Sequence, residues 1–175
     1  MQIENEIKYK IRDRKTIEDK LSKLRFKFVK NKHQKDYYFS PPHKSFAGTR
    51  KYYLRLRCQE NENFFAYHVA KDNLTTEEIE VKINNCKPLL NILELLDFKL
   101  DCVVNKDRVV YVKDNIKVVL DSVENLGDFI EIEYLGKFTD SIRDRFSYLV
   151  NEFQLRKGDL ISGVGYPDLL MEKYD

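Results

Sequence analysis

The sequence contains no tryptophan, two methionines and three histidines, and spreads six glycines and four prolines over 175 residues. With so few chain breakers there is no Gly/Ser- or Pro-rich linker. A string of small modules is excluded, and one domain is expected at this length. No run approaches the ~18 consecutive apolar residues of a membrane span. The opening residues Met1-Gln2-Ile3-Glu4-Asn5-Glu6 carry two acids and no apolar stretch, unlike a signal peptide. Three cysteines, Cys58, Cys86 and Cys102, form no C-x-x-C pair. Reduced thiols in a cytoplasmic protein are expected. Cysteine and histidine lack the spacing of a zinc site, so zinc is not expected. Nothing resembles a Ser-His-Asp or Cys-His set. Asn125-Leu126-Gly127-Asp128 lacks the further glycines and the lysine of a phosphate loop, and reads as a turn.

Net charge is also nearly absent. The chain holds 31 Lys or Arg against 29 Asp or Glu, a balance of +2 although charged residues are 34% of the whole. Hydrophobic residues make up 42%, including 11 Phe and 11 Tyr, enough for a core and too much for a disordered polyelectrolyte. The question is therefore where so many cancelling charges are placed.

Periodicity answers part of it. Apolar residues at helical spacing mark 14–29 (Ile17, Leu21, Leu24, Phe28, after a cap at Asp13), 87–97 (Leu89, Leu93, Leu96, with Pro88 in the first turn) and 140–154 (Ile142, Phe146, Leu149, Phe153). Period-two patterns mark strands at 2–11, 34–40, 50–58, 63–70, 76–83, 103–112, 116–123 and 129–135. Eight strands with three or four helices make an α+β fold with a mainly antiparallel sheet. Residues 166–170 suggest a short closing helix, read as simple packing more than as a plug. A weak repeat runs through the chain. Glu4-Asn5-Glu6-Ile7-Lys8 and Glu78-Ile79-Glu80-Val81-Lys82 each precede an amphipathic helix. Those helices end in Leu24-Arg25-Phe26-Lys27-Phe28 and Leu96-Asp97-Phe98-Lys99-Leu100, which suggests pseudo-twofold architecture.

Residues two apart in a strand share a face. Glu4, Glu6 and Lys8 thus face away from Ile3, Ile7 and Tyr9. Arg55 and Arg57 oppose Leu54 and Leu56, and Glu78, Glu80 and Lys82 oppose Ile79, Val81 and Ile83. Lys106 and Arg108 share a face. Asp121 shares one with Lys117 and Val119, and Glu131 and Glu133 oppose Ile130 and Ile132. An open sheet with a solvated charged face gives this pattern too. Like charges stacked within a strand repel, however, unless an opposite ligand lies between them. If the sheet closes, helices cover its apolar outside and the charges line a tunnel. Glu4, Glu6, Asp121, Glu131 and Glu133 then form a hard-oxygen set suited to Mg2+ or Mn2+. Lys8, Arg55, Arg57, Lys106 and Arg108 supply donors for phosphate oxygens. Such a tunnel suits a triphosphate and phosphoryl or nucleotidyl transfer, chemistry that rests on positioning and charge neutralisation.

These residues resemble the CYTH superfamily, the triphosphate tunnel metalloenzymes. Glu4-Asn5-Glu6-Ile7-Lys8 matches the E-x-E-x-K signature. The likeness continues in order through Asp36-Tyr37-Tyr38-Phe39, Leu54-Arg55-Leu56-Arg57, Glu78-Ile79-Glu80-Val81 and Lys106-Asp107-Arg108. It closes on Leu120-Asp121 and on Glu131-Ile132-Glu133. The last block, with Tyr38-Phe39-Ser40-Pro41-Pro42 and Phe46-Ala47-Gly48-Thr49, most resembles class IV adenylyl cyclases. The resemblance implies an eight-stranded antiparallel β-barrel with a charged interior, Mg2+ or Mn2+, ATP converted to cyclic AMP and pyrophosphate, and often a homodimer. By the same resemblance Glu4, Glu6, Lys8 and Asp121 are catalytic. Glu4, Glu6, Asp121, Glu131 and Glu133 serve the metals, and Lys8, Arg55, Arg57, Lys106 and Arg108 hold phosphates. The family's lysine near residue 67 is absent. His68 follows Tyr67 there, with Lys71 three residues on, and Thr76 stands where a basic residue is usual. His68 is either a phosphate contact or an inert polar residue.

The alternative activity is a triphosphatase acting on inorganic triphosphate, thiamine triphosphate or a nucleotide. A non-catalytic polyphosphate binder is a third reading. Residues 8–35 hold twelve Lys or Arg and three Asp or Glu. They read as a solvated helix face plus one catalytic lysine, so no nucleic-acid partner is expected.

Overall fold

The computed structural model describes residues 2–42, 52–70, 75–135 and 139–174. Within them it describes all side chains except those of residues 2–4, 52, 70, 75–76, 135 and 173–174. The elements follow in the order β1 (Gln2–Ile11), α1 (Arg14–Lys23), β2 (Lys27–Ser40), β3 (Tyr52–Gln59), β4 (Asn63–Ala70), β5 (Thr75–Ile83), α2 (Cys86–Leu95), β6 (Lys99–Lys113), β7 (Ile116–Val123), β8 (Gly127–Leu135), α3 (Asp140–Glu152), β9 (Leu160–Ile161) and α4 (Tyr166–Tyr174). All eight expected strands are present, and the two-residue β9 adds a ninth beside β1. Residues 50 and 51 of the third expected strand lie outside the described residues.

The sheet runs β5-β4-β3-β2-β6-β7-β8-β1, every pair antiparallel. A further pairing of β1 with β5, Gln2 opposite Glu78 and Asn5 opposite Thr75, joins its two ends. Exchanging β1-α1-β2-β3-β4 with β5-α2-β6-β7-β8 leaves this list of neighbours unchanged, so the repeat is a topological twofold.

The repeat also explains its own sequence signature. The expected helix over 14–29 stops at Lys23, because Arg25 turns left-handed at φ 61°. Phe26 N–H then reaches Leu21 C=O and Arg25 N–H reaches Ser22 C=O, each at 2.9 Å. Those two bonds are a Schellman ending, which here frees 27–29 to start β2. The same pair of bonds ends α2 at Asp97 (φ 59°) and α3 at Gln154 (φ 57°). Leu-Arg-Phe and Leu-Asp-Phe are thus one stop signal used twice, written without glycine.

Outside the barrel, α1 and α3 press Ile17, Leu21, Ile142, Phe146, Leu149 and Phe153 onto Tyr9 and Ile11 of β1, Val118 and Leu120 of β7, and Ile130 and Ile132 of β8. On the other half α2 seats Leu93 on Phe39 and Leu56. Each such side chain contributes about 1.5–3 kcal/mol by leaving water. A third cluster lies inside. Tyr38, Val104, Val123 and Phe129 project inward at one end of the barrel, and α4 inserts Tyr166 and Leu170 among them. The segment 166–170 is therefore a stopper, not merely an outer packing helix. Among the described residues no helix is long and apolar enough to cross a membrane.

The cysteines require a correction. Cys58 at the end of β3 and Cys86 at the start of α2 are joined in a disulfide, with Cα atoms 6.2 Å apart, and Cys102 alone is free. The intervening β4–β5 hairpin separates the two in sequence while folding them together, which spacing along the chain does not show.

Two outcomes are expected. Thiol titration of the denatured, unreduced chain should find one reactive group per molecule; three would refute the bridge. Arg25→Gly should raise stability by roughly 0.5–1 kcal/mol in urea unfolding, because an exposed L-residue held left-handed is strained where glycine is not.

Candidate active site

The inward face of the barrel bounds a cavity of about 490 Å³, lined by eight Lys or Arg and six Glu. Asp36 and Asp121 lie directly behind it, fully buried. Part of the charge that cancels in the sequence therefore cancels at close range inside the fold.

One acidic pole forms where β1 meets β8. Strand register sets Glu6 opposite Glu133 and Lys8 opposite Glu131. Carboxylate oxygens of Glu6, Glu131 and Glu133 lie within 4.8 Å of one another. The twofold-related copy on β5 does not repeat this. There Glu80 faces Ala66 and Glu78 faces His68, so β4 offers no second pair of acids. Of the two repeat copies, among the described residues only that of β1 contributes, through Glu6, to a three-carboxylate cluster. The side chain of Glu4 is outside the described side chains.

Cations hold these acids apart. Lys8 Nζ lies 3.3 Å from Glu6 Oε1 and 3.1 Å from Glu131 Oε1, and Lys117 pairs with Glu133. Burial disfavours the charge of Lys8, but Glu6 and Glu131 outweigh it and hold the ammonium well above the usual lysine range. Glu131 is likewise buried, yet Arg108 and Lys8 keep it below the usual carboxylate range. Glu133 differs. Burial, then the repulsion of Glu131 and Glu6 against partial relief from Lys117, pushes it up to about 7.

The opposite wall is basic. Arg57 grips Asp36 through Nε and Nη2, each at 2.8 Å, and Lys106 Nζ lies 3.1 Å from the same carboxylate. Burial outweighs Asp36, and Arg108 and Arg57 add repulsion, so Lys106 falls to about 8. Arg55 Nη2 donates to Glu78 at 2.7 Å and to Glu80 at 3.2 Å. Its Nε is buried with no acceptor among the described residues, an unmet donor on a residue that lines the cavity. His68 Nε2 lies 3.0 Å from Glu78 Oε1 and its ring stacks on Tyr53 with centroids 4.6 Å apart. Burial and Arg55 push His68 down to about 4 despite Glu78, so the imidazole is uncharged at neutral pH.

Of the residues expected in the site, Glu6, Lys8, Arg55, Arg57, His68, Lys106, Arg108, Glu131 and Glu133 all line the one cavity. Asp121 is not brought into the carboxylate cluster. Arg108 Nε donates to it at 2.8 Å, and the Tyr166 hydroxyl donates at 2.9 Å. Arg108 also reaches Glu131 at 2.7 Å. Lys71 lies outside the described residues, as does the side chain of Thr76.

Sequence reasoning missed Asp36 and Tyr166, and passed over Lys117, Glu78 and Glu80 as site residues. Strand parity through Gln34, Asp36 and Tyr38 carried the signal for the first. The Lys117–Asp121 face carried it for the third. Nothing local marked Tyr166, over whose ring Lys8 and Lys106 sit at 4.5 and 5.2 Å.

The donor set fits a divalent metal. Three hard carboxylates converge, and burial, followed by the repulsion of Glu131 and Glu6, favours a proton on Glu133. A cation that needs Glu133 ionised competes with that proton. Metal affinity, measured by calorimetry, should therefore be weak at pH 6 and rise through pH 7 to a plateau near pH 8. Glu133→Gln should flatten the profile over that range; an unchanged pH dependence would refute the assignment.

Residues 2–161 match the CYTH domain. A curated protein of Methanocaldococcus jannaschii, "Putative adenylate cyclase MJ0240", is 40% identical over 134 residues, which is 75% of this chain and 76% of that one. Among solved structures, the PH1819 protein of Pyrococcus horikoshii is 30% identical and superposes with a TM-score of 0.82, covering 97% of this chain and 99% of its own. The PH1012 protein of the same organism gives a TM-score of 0.83 at 24% identity, covering 95% and 98%.

Proposed function

The chain belongs to the CYTH domain family, and on that premise we propose that it is a triphosphate tunnel enzyme of the class IV adenylyl cyclase type, converting ATP to cyclic AMP and pyrophosphate. The observation that carries this reading is the sharing of one cavity by a three-carboxylate cluster and a wall of arginines, one with an unmet buried donor. The reading is supported further by the name of the 40% identical relative.

In this reading Glu6, Glu131 and Glu133, with Glu4, hold Mg2+ or Mn2+. When bound, the metal neutralises phosphoryl oxygens and lowers the pKa of an adjacent hydroxyl. Arg55, Arg57, Lys106 and Arg108 hold the triphosphate, bidentate where a guanidinium meets two oxygens. The wall is already ion-paired, so a phosphate displaces Glu78, Glu80 or Asp36 from partners they would otherwise keep. That competition favours a ligand bearing several negative charges over one bearing a single charge. Asp121 acts through Arg108, fixing the plane of its guanidinium. Lys8 keeps its charge in place beside both Glu6 and the phosphates. His68, uncharged, contributes a hydrogen-bonding edge rather than a cation to the wall.

The reaction forms a bond from the ribose 3′-oxygen to the α-phosphorus. The α-phosphorus bond to the bridging oxygen breaks, pyrophosphate leaves with the electron pair, and the hydroxyl proton departs to solvent or to an ionised carboxylate. In-line placement of the 3′-oxygen is the main task of the protein.

The test is product analysis with Mg2+ or Mn2+ and either ATP or inorganic triphosphate. Cyclic AMP and pyrophosphate are expected from ATP. Orthophosphate without cyclic AMP would overturn the cyclase and assign a triphosphatase; tight binding without product would assign a binder. Glu6→Gln and Glu133→Gln should each lower kcat at least 100-fold, with circular dichroism unchanged.

A further inference from the structure

Apolar side chains gather at both ends of the barrel's inward face, with Val119 between them. Tyr38, Val104, Val123 and Phe129 belong to the stopper with Tyr166. Phe64, Val29, Val110 and Val112 line the cavity but belong to none of the three apolar clusters. Phe64 stands on β4 between Arg57 and Lys82, its register partners on either side. Its aromatic ring is set into a charged wall, and among the described residues no apolar cluster includes it. A cavity built for phosphate alone has no use for this strip. Apolar surface left facing a polar cavity is satisfied only by a ligand with apolar surface of its own.

Strand register orders the cavity from that strip inward. Val112 lies opposite Lys117, which lies opposite Glu133; Val110 lies opposite Val119, which lies opposite Glu131. The carboxylate cluster is thus registered with the apolar strip. At the other end Arg55 is opposite Tyr38, and Lys106 is opposite Val123, both partners belonging to the stopper. The same end as the strip carries Lys30, Lys32 and Lys117 on the cavity wall.

We infer that the strip of Phe64, Val29, Val110 and Val112 is the subsite for a planar heteroaromatic group carried on the triphosphate, such as a nucleobase, and that the substrate enters phosphates first. The inference rests on the reading of the cavity as a triphosphate site. Because Tyr166 and its cluster stop the far end, the terminal phosphates lie deepest, against Arg55 and Lys106. The organic group stays near the mouth. The phosphate joined to it then lies beside Glu131 and Glu133, which is the phosphorus a ribose hydroxyl attacks in cyclisation. Lys30 adds positive charge at the open end, where Lys32 is paired with Glu62 at 3.1 Å.

The experiment compares calorimetric Kd values for ATP and inorganic triphosphate, both with Mg2+, in the wild type, Phe64→Ala, Phe64→Trp and Val112→Thr. The ratio of the ATP Kd to the inorganic triphosphate Kd should rise at least 10-fold in Phe64→Ala and severalfold in Val112→Thr, and stay near the wild-type value in Phe64→Trp. If both ligands bind the wild type and no variant changes the ratio, the subsite is overturned while the triphosphate reading stands. If the wild type binds neither ligand, the triphosphate reading fails and the subsite with it. Should Phe64→Ala not fold, the ratio in Val112→Thr decides by the same criterion.

Discussion

Charges facing inward in a closed barrel must each be matched, because an ion removed from water without a partner costs several kcal/mol. That constraint governs most of this molecule. Arg57 and Lys106 share Asp36, Arg108 spans Asp121 and Glu131, and Arg55 spans Glu78 and Glu80. Most inward carboxylates have a cationic partner at ion-pair distance. The exception in degree is the Glu6–Glu131–Glu133 cluster, where Lys8 and Lys117 only partly offset three converging acids. Under the proposed function, a bound cation and a bound polyanion complete this matching.

Closure makes the constraint bite. If β1 and β5 did not pair, the charged face would be an ordinary wet surface, and its ion pairs would be worth little. The pairing also brings together the two E-x-E segments, one from each half of the repeat. Their fates then diverge through their other neighbours. The β1 copy meets glutamates on β8, and the β5 copy meets Ala66 and His68 on β4. A framework with a topological twofold thus carries, among the described residues, one three-carboxylate pole. The asymmetry extends to the ends: α4 stops one with Tyr166, while apolar side chains without a cluster line the other.

Much of the fold was legible because period-two alternation and the 3.6 period report directly on which side chains face away from water. The strands, the three main helices and the separation of charges from apolar ladders follow from that alone. The helix over 14–29 was overrun because Leu24 and Phe28 continue its apolar spacing. The stop lies in the backbone of Arg25, a residue with no helix-breaking reputation. The disulfide is not legible in the sequence, since Cys58 and Cys86 are joined across a hairpin. The stopper is hard to see in the sequence because Tyr166 is a single aromatic, and its meaning lies in Asp121, Lys8 and Lys106 around it.

The sequence by itself determined the chemistry available: which residues point together, how many acids and bases they include, and that hard-oxygen and guanidinium donors occur in alternate positions. These are local properties, set by the two-residue repeat of a strand. Only the tertiary structure decided which of them meet. Register places Glu6 against Glu133 but takes Asp121 into the grip of Arg108, and burial strips His68 of charge. Closure turns the inward-facing part of the chain's charge balance into pairing within a few ångströms. Those outcomes depend on distance and desolvation, which belong to the assembled barrel and not to any one strand.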